Sequence, residues 1–304
     1  MIKHLGLKAY GKINLGLDVL RKREDGYHDV RMIMQTVGIF DRIDLIRSQE
    51  PGIQVETNLF YLPTNENNLV YKAARLLMDE FHITEGVTIR LKKFIPVAAG
   101  MAGGSSDAAA VLFGVNKMFQ LGLTTAQLME RGVKIGADVP YCILRGTALS
   151  EGIGEILTPL PAVPQCQVLI AKPGISVSTK FVYENLHAND LRPDQHPDID
   201  GMIDAIQARD IHQIAGKLGN VLETVTVKEY PVIRQIKEVM MEYGSIGSLM
   251  SGSGPTVFGL FTNPKAAQDA YEELRYGSVS HLAKQVYLTN FYNQKQAAKG
   301  EDQR

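Results

Sequence analysis

The feature that most constrains the fold is a glycine- and serine-rich segment, Pro96–Ser106, between a predicted strand and a predicted helix. Residues 87–91 alternate as a strand does, and residues 107–112 resume helical character. The first turn of a helix carries unpaired backbone N–H groups and partial positive charge, which attract phosphate. Gly103 and Gly104 lack the Cβ atoms that would obstruct this approach, and the two serines that follow can donate hydrogen bonds. The segment therefore predicts a phosphate-binding loop.

A tight turn before a buried helix is the alternative for a Gly-Gly-Ser-Ser sequence taken alone. Its position after a strand favours the phosphate loop. The segment lacks the Lys of the Gly-x-x-x-x-Gly-Lys-Ser/Thr signature, and the chain has no His-Arg-Asp or Asp-Phe-Gly sequence. Neither Gly152-Ile-Gly154 nor Gly252-Ser-Gly254 continues into a dinucleotide fingerprint.

The order of predicted elements indicates the α+β class, because strands and helices mix without regular alternation. A charged connection over residues 21–28 separates the first two strands, and Thr124 or Thr125 is a plausible helix N-cap. Alternation predicts strands over 15–20, 32–37, 41–46, 87–91, 167–171, 256–261 and 285–288, and helical spacing predicts helices over 68–78, 199–217, 228–243 and 264–276.

The composition excludes several classes of partner. With 32 Lys plus Arg against 33 Asp plus Glu, the net charge of −1 gives no field that would hold nucleic acid or an anionic membrane. The two cysteines, Cys142 and Cys166, have no metal-ligand spacing, and no stretch reaches ~18 uninterrupted apolar residues. The start of the chain does not read as a secretion signal. We expect a cytoplasmic protein whose 304 residues form two domains, with one very large domain as the alternative.

Three segments in order resemble the galactokinase, homoserine kinase, mevalonate kinase and phosphomevalonate kinase (GHMP) superfamily. Residues 96–107 resemble its Pro-x-x-x-Gly-Leu-Gly-Gly-Ser-Ser signature, Lys8–Asp18 its N-terminal motif and Leu249–Phe258 its C-terminal glycine-rich motif. Met101-Ala102 replaces the usual Leu-Gly, and a small Ala should still allow the backbone to approach a nucleotide.

The resemblance implies an ATP-dependent small-molecule kinase with Mg²⁺ as a further cofactor, through ligands that the sequence does not identify. It also implies an N-terminal domain with the ATP loop and a ferredoxin-like C-terminal domain, with the active site between them. The two prolines of Leu160–Pro164, just before a predicted strand, place the boundary between residues 1–162 and 163–292, and the polar segment 293–304 is expected to be a frayed tail. The residues expected to bind ATP are Asn68, Pro96, Val97, Ala98, Ala99, Gly100, Met101, Ala102, Gly103, Gly104, Ser105 and Ser106.

Phosphorylation of a hydroxyl requires a proton acceptor, and Asp138 in the turn Ile135–Pro140 is the candidate. An isolated Asp in such a turn is more often a cap, and an isolated Lys such as Lys12 more often extends to solvent. Both residues occupy positions that resemble the family's catalytic Lys–Asp pair, which favours a catalytic role. The ammonium would keep Asp138 ionised and stabilise the transferring phosphoryl group.

The segment Asp25-Gly-Tyr-His28, with Lys12-Ile-Asn14 and Asn67–Val70, resembles the branch that phosphorylates the 2-hydroxyl of 4-diphosphocytidyl-2-C-methyl-D-erythritol. That reaction belongs to non-mevalonate isoprenoid precursor synthesis. A tyrosine face and a histidine edge suit a pyrimidine base, although Tyr183 could equally be a core aromatic. The residues expected to bind this cytidylylated polyol are Asn14, Tyr27, His28 and Tyr183. A sister kinase of the superfamily and a non-catalytic nucleotide sensor are the alternatives.

Overall fold

The computed structural model describes residues 2–293. The strands are β1 (His4–Lys22), β2 (His28–Ser48), β3 (Ile53–Thr57), β4 (Gly86–Lys92), β5 (Thr147–Glu151), β6 (Ile156–Pro159), β7 (Gln167–Lys172), β8 (Gly219–Asn220), β9 (Gly247–Met250), β10 (Val257–Phe261) and β11 (Gln285–Asn290). The helices are α1 (Leu69–Glu80), α2 (Gly103–Met118), α3 (Thr125–Val133), α4 (Val139–Leu144), α5 (Thr179–Glu184), α6 (Ile199–Gln207), α7 (Ile211–Gly216), α8 (Glu223–Glu229), α9 (Val232–Glu242) and α10 (Pro264–Tyr276).

The first sheet is built on one long antiparallel hairpin, β1–β2. Its main strand order is β3-β4-β2-β1-β8, and the short hairpin β5–β6 joins through β2. The register of β1 on β2 shifts between Tyr10 and Lys12 and again between Asn14 and Gly16. Such bulges re-aim side chains. The register shifts therefore flank the two residues, Lys12 and Asn14, that the sequence places in the site.

Helix α2 is the centre of the N-terminal layer. It packs on β1, β2, α1 and α4, and ten of its sixteen residues are buried. Small residues allow this close packing: a Cβ at Gly114 would lie 2.3 Å from Leu45 Cδ1. The helix is long and fixed on several sides, so the loop that opens it is held in a defined position.

The second sheet has the antiparallel order β11-β7-β10-β9, with α9 before β9 and α10 between β10 and β11. This order and these crossovers are those of a ferredoxin-like fold, as the resemblance implied. Gly38 in β2 lies against β11, because a Cβ there would meet Thr289 Oγ1 at 2.6 Å. A buried apolar cluster joins the two sheets through Ile13, Ile33, Ile170 and Phe258, among others.

The α+β class is confirmed. The domain boundary at 162/163 stays a prediction. Of the predicted tail, Asn293 is described and donates to the Val163 carbonyl at 2.9 Å, whereas 294–304 lie outside the described residues. Within residues 2–293, no helix is long and apolar enough to cross a membrane.

Two long helices expected from the sequence are each divided. The segment 199–217 breaks after α6, where Arg209 has a φ of +55° and the Asp210 carboxylate caps α7 by accepting from the backbone of His212. The segment 228–243 breaks at Pro231, which has no backbone N–H to donate. Periodicity missed both breaks because the apolar spacing continues across them.

Candidate active site

Most of the predicted site residues line one cavity of about 990 Å³. The cavity lies between the β1–β2 hairpin, the loop before α2, helix α5 and the C-terminal glycine-rich segment. From the predicted set its wall contains Lys12, Tyr27, His28, Asn68, Pro96, Val97, Ala98, Ala99, Gly100, Ala102, Gly103, Gly104, Ser105, Asp138 and Tyr183. Asn14, Met101 and Ser106 lie behind this wall.

The glycine-serine loop has left-handed backbone at every second residue, with φ values of +49° at Ala98, +72° at Gly100 and +53° at Ala102. Non-glycine residues seldom adopt such angles, and strained backbone of this kind occurs often at ligand sites. Ala102 is the N-cap residue of α2 and makes no side-chain cap. The backbone of the helix start is thereby left to face the cavity.

The loop is interlocked with the C-terminal glycine-rich segment. Ser251 Oγ donates to the carbonyl oxygen of Gly100 at 2.9 Å. A Cβ at Gly100 would lie 2.1 Å from the Ser251 carbonyl oxygen, and one at Gly252 would lie 3.2 Å from Gly100. Glycine is thus required at Gly100, and at Gly252 a side chain would be tightly placed on backbone with a φ of +58°. The two family-like segments form one side of the cavity.

Two loop residues expected to bind ATP face the protein instead. Met101 is buried in the cluster between the sheets, and its carbonyl accepts from the Lys12 N–H at 3.1 Å. Ser106 is buried and its hydroxyl donates to the carbonyl of Tyr10 at 2.6 Å. Ser105 keeps its place on the cavity wall. Asn68 caps α1 by accepting from the Val70 N–H at 3.1 Å.

Lys12 and Asp138 line the cavity without forming an ion pair in the described part of the chain. Lys12 is only 5% exposed, and its ammonium donates to Asn14 Oδ1 at 2.7 Å. Asp138 precedes α4 but makes no side-chain cap. Both charges act on the buried thiol of Cys142, because burial and Asp138 raise its pKa while Lys12 lowers it. Asn14 is fully buried and holds Lys12 from behind.

Aromatic residues form the other end of the cavity. The rings of His28 and Tyr183 lie 5.0 Å apart, centroid to centroid, with an interplanar angle of 46°. Burial, and secondarily the charge of Lys22, lower the pKa of His28, which favours the neutral ring. Burial and the Asp138 carboxylate raise the pKa of Tyr183. Tyr27 lines the same region and is 59% exposed.

The sequence reasoning missed a buried charged cluster beneath the loop. The Lys93 ammonium donates to Asp107 Oδ2 at 2.6 Å and also to Asp41 Oδ2. Lys93 and Asp107 both line the cavity. The sequence carried one indication of this cluster, namely that Lys93 closely follows a predicted strand and Asp107 directly follows the serine pair. Their contact with Asp41 could not be read from spacing, because Asp41 lies 52 residues before Lys93.

Comparison with known proteins agrees with this geometry. The model of the GHMP kinases N terminal domain matches residues 68–146, and that of the GHMP kinases C terminal domain matches residues 202–278. A protein of Lachnoclostridium phytofermentans named 4-diphosphocytidyl-2-C-methyl-D-erythritol kinase is 57% identical over 96% of this chain and 98% of its own length. One of Lachnospira eligens with the same name is 54% identical over 96% of this chain and 99% of its own.

Comparison with solved structures supports the same family and the same fold. The crystal structure of 4-(cytidine 5'-diphospho)-2C-methyl-D-erythritol kinase superposes with a TM-score of 0.79 at 30% identity, covering 94% of this chain and 99% of the other. The homoserine kinase of Cytophaga hutchinsonii, at 20% identity and a TM-score of 0.78 over 95% of each chain, shares the fold. The chain therefore belongs to the GHMP kinases, which are ATP-dependent small-molecule kinases, and within them to the family of 4-diphosphocytidyl-2-C-methyl-D-erythritol kinases.

Proposed function

We propose that this protein transfers the γ-phosphoryl group of ATP to the 2-hydroxyl of 4-diphosphocytidyl-2-C-methyl-D-erythritol, in non-mevalonate isoprenoid precursor synthesis. One observation supports this most strongly: the phosphate loop, the Lys12 and Asp138 side chains and the His28–Tyr183 ring pair line one cavity. A cavity with these three parts can hold a nucleotide, a reacting hydroxyl and an aromatic base together. The names of relatives at 57% and 54% identity supply the particular acceptor.

The loop fits the polyphosphate of ATP. The left-handed turns at residues 98, 100 and 102 direct the backbone of the helix start to the cavity. Gly103 and Gly104 have no side chains that would keep a phosphate away from this backbone. Oriented N–H groups of this kind bind anions. We propose that Ser105 adds a hydroxyl donor, whereas Met101 and Ser106 shape the loop from behind. Mg²⁺ would enter with ATP, since it neutralises phosphate charge.

The reaction needs one proton acceptor and stabilisation of the transferring group. In our proposal the Asp138 carboxylate accepts the proton of the 2-hydroxyl while the hydroxyl oxygen forms a bond to the γ-phosphorus. The bond between the γ-phosphorus and the bridging oxygen then breaks, and ADP leaves with the electron pair. The Lys12 ammonium, held by Asn14, is suited to stabilise negative charge on the phosphoryl oxygens.

The aromatic end suits the cytosine of the acceptor. A neutral imidazole has one N–H donor and one acceptor nitrogen, which match groups on the cytosine edge. The rings of Tyr27 and Tyr183 offer faces on which a base can stack. We propose that His28 reads the edge of the base and that these two tyrosines cover its faces.

A coupled ADP-release assay with the cytidylylated polyol, ATP and Mg²⁺ tests the proposal. Steady turnover of this acceptor, with much slower turnover of 2-C-methyl-D-erythritol 4-phosphate, is the expected result. ATP and acceptor binding without turnover would instead identify a sensor. Faster turnover of homoserine or mevalonate than of the cytidylylated polyol would identify a sister kinase and overturn the acceptor assignment.

A further inference from the structure

The cluster Asp41–Lys93–Asp107 lies directly beneath the phosphate loop. A Cβ at Gly103 would lie 3.2 Å from the Lys93 ammonium nitrogen, which places this cation against the first residue of α2. Lys93 and Asp107 belong to the wall of the cavity, yet Lys93 is 7% and Asp107 2% exposed. Water and salt screen a buried charge only weakly. Any net charge on this cluster would therefore attract or repel the polyphosphate of bound ATP strongly.

The two carboxylates of the cluster differ in how they are satisfied. Asp41 Oδ1 accepts from the backbone N–H groups of Phe94 and Ile95, the latter at 2.8 Å, and its Oδ2 accepts from Lys93. Asp107 Oδ2 accepts from Lys93 at 2.6 Å, but within residues 2–293 its Oδ1 has no hydrogen-bond partner. Hydrogen bonds to a carboxylate favour its charged form, and Asp107 accepts fewer of them than its neighbour does.

One buried ammonium cannot balance two buried carboxylates. With both ionised the cluster would carry a net charge of −1 next to a polyanion, which is unfavourable in a buried position. Two carboxyl groups that share one site respond by keeping a proton on one of them. Asp107, which has fewer donors, is the one that should keep it.

We propose that Asp107 is a positioning residue for ATP: its neutral carboxyl keeps the Asp41–Lys93–Asp107 cluster uncharged overall, and loss of that proton weakens nucleotide binding. This inference rests on the proposed ATP site at the loop 96–106. It assigns to the residue after the serine pair a function that is separate from phosphate contact and from proton transfer at Asp138.

The charged surroundings agree with the inference. Burial, and secondarily Asp41, raise the pKa of Asp107 well above its usual range against the opposing effect of Lys93. Burial alone would lower the pKa of Lys93, but Asp107 and Asp41 outweigh it and raise that pKa. From α4, the thiol of Cys142 also faces Asp107, and burial raises its pKa so that it stays neutral. Of Asp107, Lys93 and Cys142, Asp107 is therefore the group that loses its proton first as pH rises.

The test is the dissociation constant of ATP, measured by titration calorimetry without acceptor, for wild type and Asp107→Asn from about pH 5 to about pH 9, where buried carboxyl groups titrate. Asparagine keeps the shape and fixes the neutral state. We expect the ratio of the wild-type constant to that of the variant to rise by about tenfold or more with pH, as a charge at close range predicts. Titration of ATP itself affects both proteins equally and cancels in the ratio.

Parallel curves for the two proteins, with a ratio that does not change with pH, would overturn the inference. A role limited to folding would lower the Tm of Asp107→Asn and leave the ratio flat. Asp107→Leu also has no ionisable group at this position, and it serves for the same comparison if the asparagine variant does not fold. Failure of the proposed function has a different signature, namely the expected pH-dependent ratio in a protein that binds ATP but does not phosphorylate the cytidylylated polyol.

Discussion

The hydroxyl of Ser251 donates a hydrogen bond to the backbone carbonyl of Gly100 at 2.9 Å. This contact joins the C-terminal glycine-rich segment to the centre of the glycine-serine loop, and the two residues are 151 positions apart in the chain. The approach is so close that a methyl group on Gly100 would overlap the Ser251 carbonyl. The shape of the loop therefore depends on a distant segment as well as on its own backbone.

Gly100→Ala should weaken ATP binding by roughly tenfold or more, because the new methyl group separates the two segments and displaces the strained loop. Calorimetric titration of ATP measures the effect. Gly122→Ala is a matched control, since Gly122 has the same φ of +72° but a Cβ there would meet nothing within 4 Å. We expect the control to lose about 1 kcal/mol of folding stability and to keep its ATP affinity. Equal ATP affinities in the two variants would show that the contact does not shape the site.

Asp138→Asn should lose most of its turnover while still binding both substrates, because the amide keeps the shape but cannot accept the proton. General acid–base catalysis typically contributes about 10²–10⁴-fold, so kcat should fall by that order with KM little changed. Steady-state kinetics with both substrates varied give the two constants. Asp194→Asn, a change at an exposed ion pair, serves as the control. An Asp138→Asn enzyme with kcat within about twofold of wild type would exclude Asp138 as the proton acceptor.

The pKa of His28 should rise when Lys22 is removed. Burial and then Lys22 disfavour the imidazolium, so Lys22→Gln relieves only the smaller influence and leaves the pKa below the usual value of about 6.5. Proton NMR titration of the imidazole measures this directly. Lys180→Gln is the control, since Lys180 lines the same cavity and, unlike Lys22, is not expected to lower the His28 pKa. An unchanged His28 pKa in Lys22→Gln would show that burial alone sets it.

The lowered pKa of His28 also affects the pH dependence of folding stability. A histidine whose pKa is lowered by folding binds its proton more weakly in the folded chain than in the unfolded chain. Its contribution to the free energy of unfolding therefore falls as pH drops below the unfolded value of about 6.5. Acceptor binding should weaken at lower pH still, around and below the lowered pKa of the folded histidine, because the imidazolium loses the acceptor nitrogen that can pair with the base.

The sequence predicted the parts of the site that are continuous in the chain. The glycine-serine loop could be picked out because strand, glycines, serines and helix follow one another, and the family resemblance pointed to Lys12 and Asp138; all of these line one cavity, and their roles stay predictions. The direction of the Met101 side chain was not readable, because it lies between the left-handed residues Gly100 and Ala102. That of Ser106, in the first turns of α2, depends on how the helix packs on β1, where its hydroxyl donates to the Tyr10 carbonyl. The Asp41–Lys93–Asp107 cluster was also hidden, because it depends on the pairing of β2 with β4 and on the packing of α2.

The helix ends show the same limit at a smaller scale. The sequence indicated an N-cap at Thr124 or Thr125, and in the structure Thr124 is the cap and forms a full capping box with Gln127. Arg209 was not readable as a helix break, because a positive φ at a non-glycine residue leaves no mark in the spacing of apolar residues. Local chemistry was thus predictable where one residue type decides the outcome, and tertiary packing decided the rest.

The ring of Tyr183 lies 5.0 Å from that of His28, centroid to centroid, where we propose that it stacks on the base. Tyr183→Ala should lower kcat/KM for the cytidylylated acceptor by roughly tenfold or more, because loss of a stacking ring typically costs about 1–3 kcal/mol per base. Tyr183→Phe keeps the ring and should stay within about twofold of wild type, because stacking needs the ring and not the hydroxyl. The dissociation constant of ATP should be the same in all three proteins, because the loop and the rings bind different ligands.

The decisive comparison uses a second acceptor, 2-C-methyl-D-erythritol 4-phosphate, which has no base to stack. Its disadvantage relative to the cytidylylated acceptor should shrink in Tyr183→Ala and in Tyr27→Ala, since the lost contacts are ones that it never made. If Tyr183→Ala slows both acceptors equally, the ring supports the fold of helix α5 and does not stack on the base. If Tyr27→Ala alone narrows the difference, the exposed Tyr27 is the stacking residue and Tyr183 only backs His28.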